Sequence, residues 1–332
     1  MRTRSVAAVM ILAVVMLAPF QVAGQGLTAE IVPAAASRTS WGDPDLQGIW
    51  DFRTITPLER PDELADKAVL TAEEAAEYEA SSLKAQDKDL RATDGISAER
   101  DVANAYNQFW WDYGDKLTED RRTSLVVDPT DGKIPRSRAA RERFAAALAG
   151  AFGGGIPAGP EDRPIWERCI LGFNSGPPML PSAYNNNVQI IQTPDTVAIL
   201  NEMVHNARIV PMDGRPHVSD EVRQWTGDAR GHWDGEVLVV ETTNFLRETG
   251  FTGAGAGLRL VERFARVDDD TLLYEFTVDD PENFDRPWTA AIPMTKTSSP
   301  MFEYACHEGN YGMTNLLAGA RVEEAAVANA AK

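Results

Sequence analysis

Three stretches, EVLVVETTNF (236–245), LRLVERFARV (258–267) and TLLYEFTV (271–278), decide the fold class of this chain. Each is rich in β-branched and aromatic residues, and apolar positions alternate with polar ones along most of its length. An Asp-Gly pair precedes the first stretch, and Asp-Asp-Asp separates the last two. Because such short turns join neighbouring strands that run in opposite directions, the pattern predicts antiparallel β-structure.

The same pattern extends over the second half of the chain. Short turn sequences separate further predicted strands: NVQIIQT (187–193), TVAILNEMVH (196–205), ARIVPM (207–212), WTAAIPMTKT (288–297) and MFEYACHE (301–308). No helix of any length is predicted before residue 313. About eight strands in a meander are enough to close a barrel and remove the sheet edges. We therefore expect residues 185–312 to form an antiparallel β-meander that closes into a lipocalin/calycin-like barrel.

Residues 44–184 are predicted to combine a first strand with a helical and loop insertion. PDLQGIWDFRT (44–54) predicts the strand, and its Gly-Ile-Trp sequence resembles the GxW of the first strand in lipocalin-type barrels. Thr71 followed by Glu74 predicts a capping box that begins a helix over 71–86, with Leu70 as the hydrophobic staple. The fold class is thus mainly β with a helical N-terminal part. The remaining elements expected in this region are helices over 101–114 and 136–152 and a strand within 121–134.

The first 24 residues have the features of a secretory signal peptide: a basic start, an apolar run of fifteen residues and small residues at the exit. The run is shorter than the roughly 20 residues that span a bilayer. We therefore expect cleavage after Gly24, no membrane insertion after that cleavage, and a protein in the periplasm or secreted. A flexible leader is expected over 25–43, and a C-terminal tail over 313–332.

The charge balance excludes two classes of partner. The chain carries 32 basic and 50 acidic residues, a formal net charge of −18. Such a surface repels the phosphates of nucleic acids and of anionic lipids, so neither is expected as a partner. The hydrophobic content of 43% and the eight tryptophans predict a sizeable core.

The two cysteines, Cys169 and Cys306, lie far apart in the sequence. In an exported protein an even pair of cysteines is more often a disulfide than two free thiols, so we expect the two to be bonded. A metal-binding or nucleophilic role is the less favoured alternative. Cys306 would then anchor FEYACHEGNYG (302–312) to the rest of the fold.

Polar residues within apolar strands form the candidate site. Buried charges must be paired or functional, since burying them alone is costly. His205 and His307, with Glu202 and Glu308, are the predicted acid–base residues. With Cys306 tied down, strand alternation directs His307 into the cavity, where it would meet His205. Glu308 would face the other way and pair with Arg208. The structural alternative, in which each of these groups faces solvent or forms an ion pair, stays open.

The predicted ligand-binding residues complete the candidate site. Arg208 is placed at the cavity, and aromatic residues are expected to line it: Trp50, Trp110, Trp233 and Tyr311. The remaining histidines, His217 and His232, are expected in exposed turns.

Motifs for cofactor or metal chemistry are missing from the sequence. GAGAGL (253–258) lacks the preceding strand and following helix of a dinucleotide loop. There is no G-x-S-x-G elbow, and no second histidine follows His307 at zincin spacing. We expect neither a cofactor nor a metal.

Several motifs together resemble a large family of exported bacterial proteins of unassigned function. They span most of the chain after the signal peptide: RTSLVVDPTDG, YNNNVQIIQTP, EMVHNARIVPMDGRPH, GEVLVVETTNF and EYACHEGNYG. The resemblance implies export and one co-linear unit, and it implies no reaction.

Two functions remain open. In the first, the barrel binds a small hydrophobic molecule in its cavity. In the second, the same cavity is an enzyme site where histidine and glutamate transfer protons, as in an isomerase, lyase or hydrolase. We favour binding, because no catalytic signature is present. A role as an interaction module is third.

Overall fold

The computed structural model describes residues 37–87, 89, 107–151, 156–249 and 251–330. The predicted signal peptide and most of the predicted leader lie outside these residues, as does the first part of the helix predicted over 101–114. In the part of that helix which is described, only a short 3-10 turn forms, Gln108–Trp110.

The described residues form a mainly antiparallel β-sheet of ten strands with few helices. The strands are β1 (Gly48–Asp51), β2 (Val126–Asp128), β3 (Asn187–Gln192), β4 (Thr196–Asn201), β5 (Ala207–Pro211), β6 (Asp228–Asp234), β7 (Val237–Thr243), β8 (Arg259–Arg266), β9 (Thr271–Asp279) and β10 (Trp288–Thr297). The α-helices are α1 (Ala72–Gln86), α2 (Arg138–Ala151) and α3 (Tyr311–Ala330). The prediction of a mainly β, antiparallel protein is confirmed.

Two meanders meet at the first strand. The sheet order is β5-β4-β3-β1-β10-β9-β8-β7-β6, and β2 pairs with β10 beside this path. The predicted strand at 44–54 therefore joins the sheet, where Trp50 lies opposite Val188 of β3 and Lys296 of β10. It connects the three-strand meander β3–β5 to the five-strand meander β6–β10.

The two ends of this sheet approach each other. Val210 of β5 lies so close to Gly231 of β6 that a β-carbon added at Gly231 would be 2.8 Å from its Cγ1, and the Met212 sulfur would be closer still. A side chain at Gly231 would therefore have to displace the opposite end of the sheet. Glycine at this position permits the close approach of β5 and β6.

Alternating residues of the strands fill the space enclosed by the sheet. One core cluster takes side chains from every strand of the main path. Its largest members are exposed by less than 2%: Trp50, Trp288, Tyr274, Phe52, Phe245, Phe264 and Phe276. Burying one such side chain contributes roughly 1.5–3 kcal/mol, so this interior is the main source of stability.

Local signals in the N-terminal region predict the observed helix start. The Thr71 side chain accepts a hydrogen bond from the Glu74 backbone N–H, and the Glu74 carboxylate accepts one from the Thr71 N–H. Leu70 packs with Ala75 in a small separate cluster, as a hydrophobic staple requires. The capping box and the helix over 71–86 are confirmed.

Two strand predictions need correction, and one strand was not predicted. The predicted strand at 196–205 ends at Asn201, where a 3-10 turn with positive φ at Val204 and His205 replaces it. His232 lies in β6, a strand that was not predicted, although its side chain is exposed. Residues 301–308 form no strand.

The end of the chain also differs from the prediction. Residues 311–330, expected mainly as a tail, form helix α3. Ala320 is its buried residue.

Candidate functional site

An ion pair lies inside the sheet. Arg208 on β5 donates two hydrogen bonds to the Glu262 carboxylate on β8, at 2.6 and 2.9 Å. The Tyr274 hydroxyl on β9 donates to the same carboxylate at 2.7 Å and accepts the backbone N–H of Met179 at 3.1 Å. The side chains of Arg208 and Glu262 are 2% and 0% exposed, so the pair is removed from water.

The protonation of this group follows from its burial. Burial disfavours the charged guanidinium of Arg208, but the attraction of the Glu262 carboxylate outweighs this effect and raises the Arg208 pKa. Burial and the same carboxylate raise the pKa of Tyr274 well above its ordinary value, so the phenol keeps its proton. The predicted pairing of Arg208 with Glu308 is wrong, because Glu262 occupies the guanidinium.

Side chains fill the interior where a ligand cavity was expected. Trp50 is fully buried, and its indole N–H donates to the Leu46 carbonyl at 3.0 Å. The Arg266 guanidinium lies 5.6 Å from the centre of the Trp50 ring. Trp50 is therefore part of the packed core, and Trp233 is partly buried against the same core.

Glu202 lies at the turn that follows β4. It is 4% exposed, and its carboxylate accepts the Asn187 side-chain amide at 2.8 Å and the backbone N–H of Phe302 at 2.9 Å. Glu202 thereby joins the turn to a segment 100 residues further along the chain. Its observed contacts are those of a structural anchor.

That segment, residues 298–310, is called the strap here. It follows β10 without regular secondary structure, and side-chain contacts hold it in place. Glu202 binds Phe302, and the Tyr304 ring stacks on Tyr184 with centroids 6.1 Å apart. At its end, the Asn310 amide donates to the Glu167 carbonyl at 3.3 Å.

The disulfide between Cys169 and Cys306 is the covalent anchor of the strap, and its prediction is confirmed. The bond joins residues 137 positions apart. The Asn310 side chain also lies 3.4 Å from the Cys169 sulfur. The strap is thus fixed to the segment around Trp166 and Cys169 by one covalent bond and by hydrogen bonds.

A chain of aromatic side chains runs beside the strap. Tyr184 is its centre: it stacks on Tyr304 and meets Phe173 and Trp111 edge to face, at 5.5 and 6.1 Å. Phe173 in turn meets Trp166 edge to face at 6.3 Å. In contrast to the fully buried aromatics of the sheet, these rings are half-buried or exposed. Part of the surface of each ring is therefore exposed to solvent.

A pocket of about 420 Å³ opens between the strap, the start of α3 and the Trp166 segment. We call it the strap pocket. Aromatic and aliphatic side chains make up much of its lining, together with two carboxylates, one amide and the disulfide: Trp166, Glu167, Tyr304, Ala305, Cys306, Glu308, Gly309, Asn310, Gly312, Met313 and Leu316. Its volume suits a small organic molecule.

A second pocket of about 520 Å³ lies beside Arg53 and the end of α1. Its lining is largely charged or polar. Arg53 donates to Asp51 at 2.7 Å and to Asp112 at 2.5 Å, so its guanidinium is already paired with two carboxylates. Although this pocket is larger, the strap pocket has the better match of apolar walls and few polar groups.

The predicted acid–base residues are not gathered in the interior. The side chains of His205, His307 and Glu308 are exposed, whereas Glu202 is buried. Because His205 lies within a turn and itself has positive φ, and because residues 301–308 are not a strand, the alternation argument that directed both histidines inward was wrong. Glu308 lines the strap pocket, and neither histidine lines either pocket described above.

The predicted aromatic ligand-binding residues also separate. Trp110 is 58% exposed and packs edge to face on Phe109. Tyr311 is 75% exposed at the first residue of α3, next to the strap pocket but outside its lining.

A histidine–carboxylate contact occurs elsewhere. The His217 Nδ1 lies 2.9 Å from an oxygen of Asp228, and His217 is half-buried rather than in an exposed turn. Burial raises the pKa of Asp228, but hydrogen bonds from His217, the Val218 N–H and Arg230 outweigh it and hold this pKa below its ordinary value. The carboxylate therefore acts as a fixed negative charge that ties the loop before β6 to that strand.

Sequence reasoning named Arg208 and Glu308, but it missed Glu262 as the partner of Arg208, and it missed Trp166 and Tyr304 as rings of the strap pocket. The sequence does contain a signal for Glu262: it shares one face of a predicted strand with Leu260 and Phe264, so its carboxylate is expected to be buried. Trp166 lies three residues before a disulfide cysteine and Tyr304 two residues before the other, so the disulfide itself could have placed these rings together.

The described residues contain neither a candidate membrane span nor a candidate metal cluster. No helix there combines the length and apolar character that crossing a membrane requires. No group of three or more His, Cys, Asp or Glu side chains in the same residues is arranged to hold a metal ion.

Comparisons with known proteins add little. No protein-family model and no curated protein matches the chain. Among solved structures, a secretary abundant heat soluble (SAHS) protein from Ramazzottius varieornatus is 13% identical, with 33% of this chain and 70% of that chain covered and a TM-score of 0.23. A mutant of the fluorescent protein UnaG is 12% identical, with coverages of 34% and 72% and a TM-score of 0.23. At these TM-scores neither likeness supports a conclusion about this chain.

Proposed function

We propose that this chain is an exported protein, periplasmic or secreted, that binds a small hydrophobic molecule. The signal-peptide pattern and the disulfide support export, because disulfides persist in oxidising compartments. The resemblance to a family of exported bacterial proteins remains part of this proposal.

In this proposal the sheet closes into a barrel of the lipocalin/calycin type. The approach of β5 and β6 at Gly231 supports closure, since these strands lie at the two ends of the sheet order. Closure would remove the exposed edges of both strands. The barrel then acts as a rigid support for the strap.

The ligand is placed in the strap pocket and not in the barrel interior. One observation carries this choice: half-buried aromatic rings line an open pocket beside an interior whose large side chains are fully buried. A ligand in the interior would have to displace core side chains and disturb the Arg208–Glu262 pair. A ligand in the strap pocket would cover the rings of Trp166 and Tyr304 at little cost to the fold.

Binding of the neutral dye N-phenyl-1-naphthylamine tests this proposal. We expect saturable fluorescence enhancement, and we expect Trp166→Ala and Tyr304→Ala each to weaken the dye affinity by about tenfold, as loss of a large aromatic contact predicts. Trp41→Ala is the matched control, because Trp41 is partly exposed and lies outside the pocket.

A second variant separates a lost contact from a disturbed fold. Gly312 lines the pocket in the first turn of α3, and a β-carbon there would meet the Asn310 side chain at an ordinary 3.6 Å. Gly312→Leu should therefore fill the pocket and abolish dye binding without lowering the midpoint of urea unfolding. Undiminished dye binding by this folded variant would contradict the proposal.

A further inference from the structure

The charged groups that line the strap pocket are all negative. Among the described residues, its lining contains the carboxylates of Glu167 and Glu308 and no lysine or arginine. The whole chain has a net charge of −18, so no long-range positive field offsets them.

The two carboxylates differ in what neutralises them. Glu167 pairs with Arg163 at 2.7 and 2.9 Å, so its charge is compensated within the protein. Glu308 is exposed, and within the described part of the chain its carboxylate has neither an ion pair nor a hydrogen bond. One negative charge at the pocket is thus available to a ligand.

The aromatic walls of the pocket, like Glu308, favour a positively charged ligand. The faces of Trp166 and Tyr304 carry negative electrostatic potential, which attracts a cation placed over them. An anion would meet repulsion from both the rings and Glu308. A neutral ligand would gain apolar contact but nothing from these fields.

We infer that the strap pocket selects a small organic cation, an ammonium group that carries an aromatic or aliphatic body. This inference rests on the proposed function and specifies the ligand class of the same pocket. The apolar body contacts Met313 and Leu316, while the ammonium group lies between the aromatic faces and Glu308.

Three ligands of similar shape test the charge selection by displacement of N-phenyl-1-naphthylamine. Phenyltrimethylammonium is the cation, tert-butylbenzene is its neutral isostere, and benzenesulfonate is the anion. We expect the cation to bind about tenfold more tightly than the isostere, as one cation–π contact and one nearby carboxylate predict, and the anion to bind most weakly. The preference should shrink when salt is raised to about 0.5 M.

Glu308→Gln removes the charge while it keeps the shape of the side chain. We expect this variant to lower the cation affinity by about three- to fivefold and to leave the affinity for tert-butylbenzene unchanged. Glu303→Gln is the matched control, because Glu303 is an exposed carboxylate of the strap outside the pocket lining.

The outcomes separate this inference from the proposed function. If tert-butylbenzene displaces the dye as well as the cation does, the charge selection is wrong and the binding function stands. Equal effects of Glu308→Gln and Glu303→Gln would also overturn it, because the preference would then come from overall charge. If neither the dye nor any of the three ligands binds, both fail.

Discussion

The sheet interior and the strap differ in how far they bury and pair the same kinds of side chain, carboxylates and aromatic rings. Inside the sheet, Glu262 is completely buried and neutralised by Arg208, and the largest aromatic side chains are less than 2% exposed. On the strap, Glu308 is exposed and unpaired within the described residues, and the ring of Tyr304 is half-buried. The carboxylate and the rings of the interior are therefore covered by other parts of the protein, whereas those of the strap remain accessible to a ligand.

This difference separates stability from binding. A buried ion pair is costly to create and very costly to break, so the groups around Glu262 are structural. Exposed carboxylates and half-covered rings add little to folding, so their placement at one pocket calls for another explanation. The following predictions test whether the two regions are as distinct as this comparison implies.

Breaking the interior pair should have the largest effect. Glu262→Ala would leave the Arg208 guanidinium buried without a partner, and we expect a loss of about 3–5 kcal/mol in the free energy of unfolding, measured in urea. Glu241→Ala removes an exposed partner of Arg259 and should cost at most about 1 kcal/mol.

A double variant sharpens this prediction. Arg208→Met combined with Glu262→Met replaces the pair by apolar side chains and should recover much of the lost stability. If the double variant is less stable than Glu262→Ala alone, the pair is needed for more than mutual neutralisation.

Removal of the disulfide should cost less stability but affect the pocket. Cys306→Ser combined with Cys169→Ser should lower the free energy of unfolding by about 2–4 kcal/mol, because it releases a constraint between residues 137 apart. Since the disulfide also fixes the strap, dye binding should weaken even well below the unfolding transition. Unchanged dye affinity in the folded double variant would show that the pocket does not depend on this anchor.

Tyr274→Phe should have the smallest effect, about 1–2 kcal/mol at pH 7, through loss of the hydrogen bond to Glu262. The wild-type protein should also show a pH dependence. Because the pKa of Tyr274 is raised in the folded state, this contribution is complete below the unfolded-state pKa of about 10 and is lost as the pH rises above it.

Urea unfolding from about pH 8 to pH 11 checks the sign of this effect. The wild type should lose stability more steeply above about pH 10 than Tyr274→Phe does. Equal slopes for the two proteins would mean that the folded protein does not hold the phenol proton.

Much of the fold could be predicted from local signals. The Thr71 capping box and the alternating residues of β8 and β9 depend on neighbours within a few residues, so their structural meaning is independent of the rest of the chain. The disulfide was predictable for another reason: the chain contains two cysteines, which allow a single pairing, and its N-terminal pattern predicts export to a compartment where disulfides persist.

The predictions failed where distant contacts decide the backbone. Residues 202–205 continue the strand pattern in sequence, but the Glu202 carboxylate binds Asn187 and Phe302, and the chain turns there instead. The strap has the alternation of a strand, yet its disulfide and the stacking of Tyr304 on Tyr184 hold it outside the sheet. Because of these two differences, the candidate site is the strap pocket and not the interior of the sheet.

The sequence by itself determined the mainly antiparallel sheet, the start of the first helix and the pairing of the cysteines. Each of these depends on periodicity, on capping chemistry or on the count of one residue type. Only the tertiary structure decided that Arg208 meets Glu262, 54 residues away, and that Trp166 and Tyr304 line one pocket. The physical reason is that pairing of a buried charge and exposure of an aromatic face depend on how distant segments pack, which local patterns do not specify.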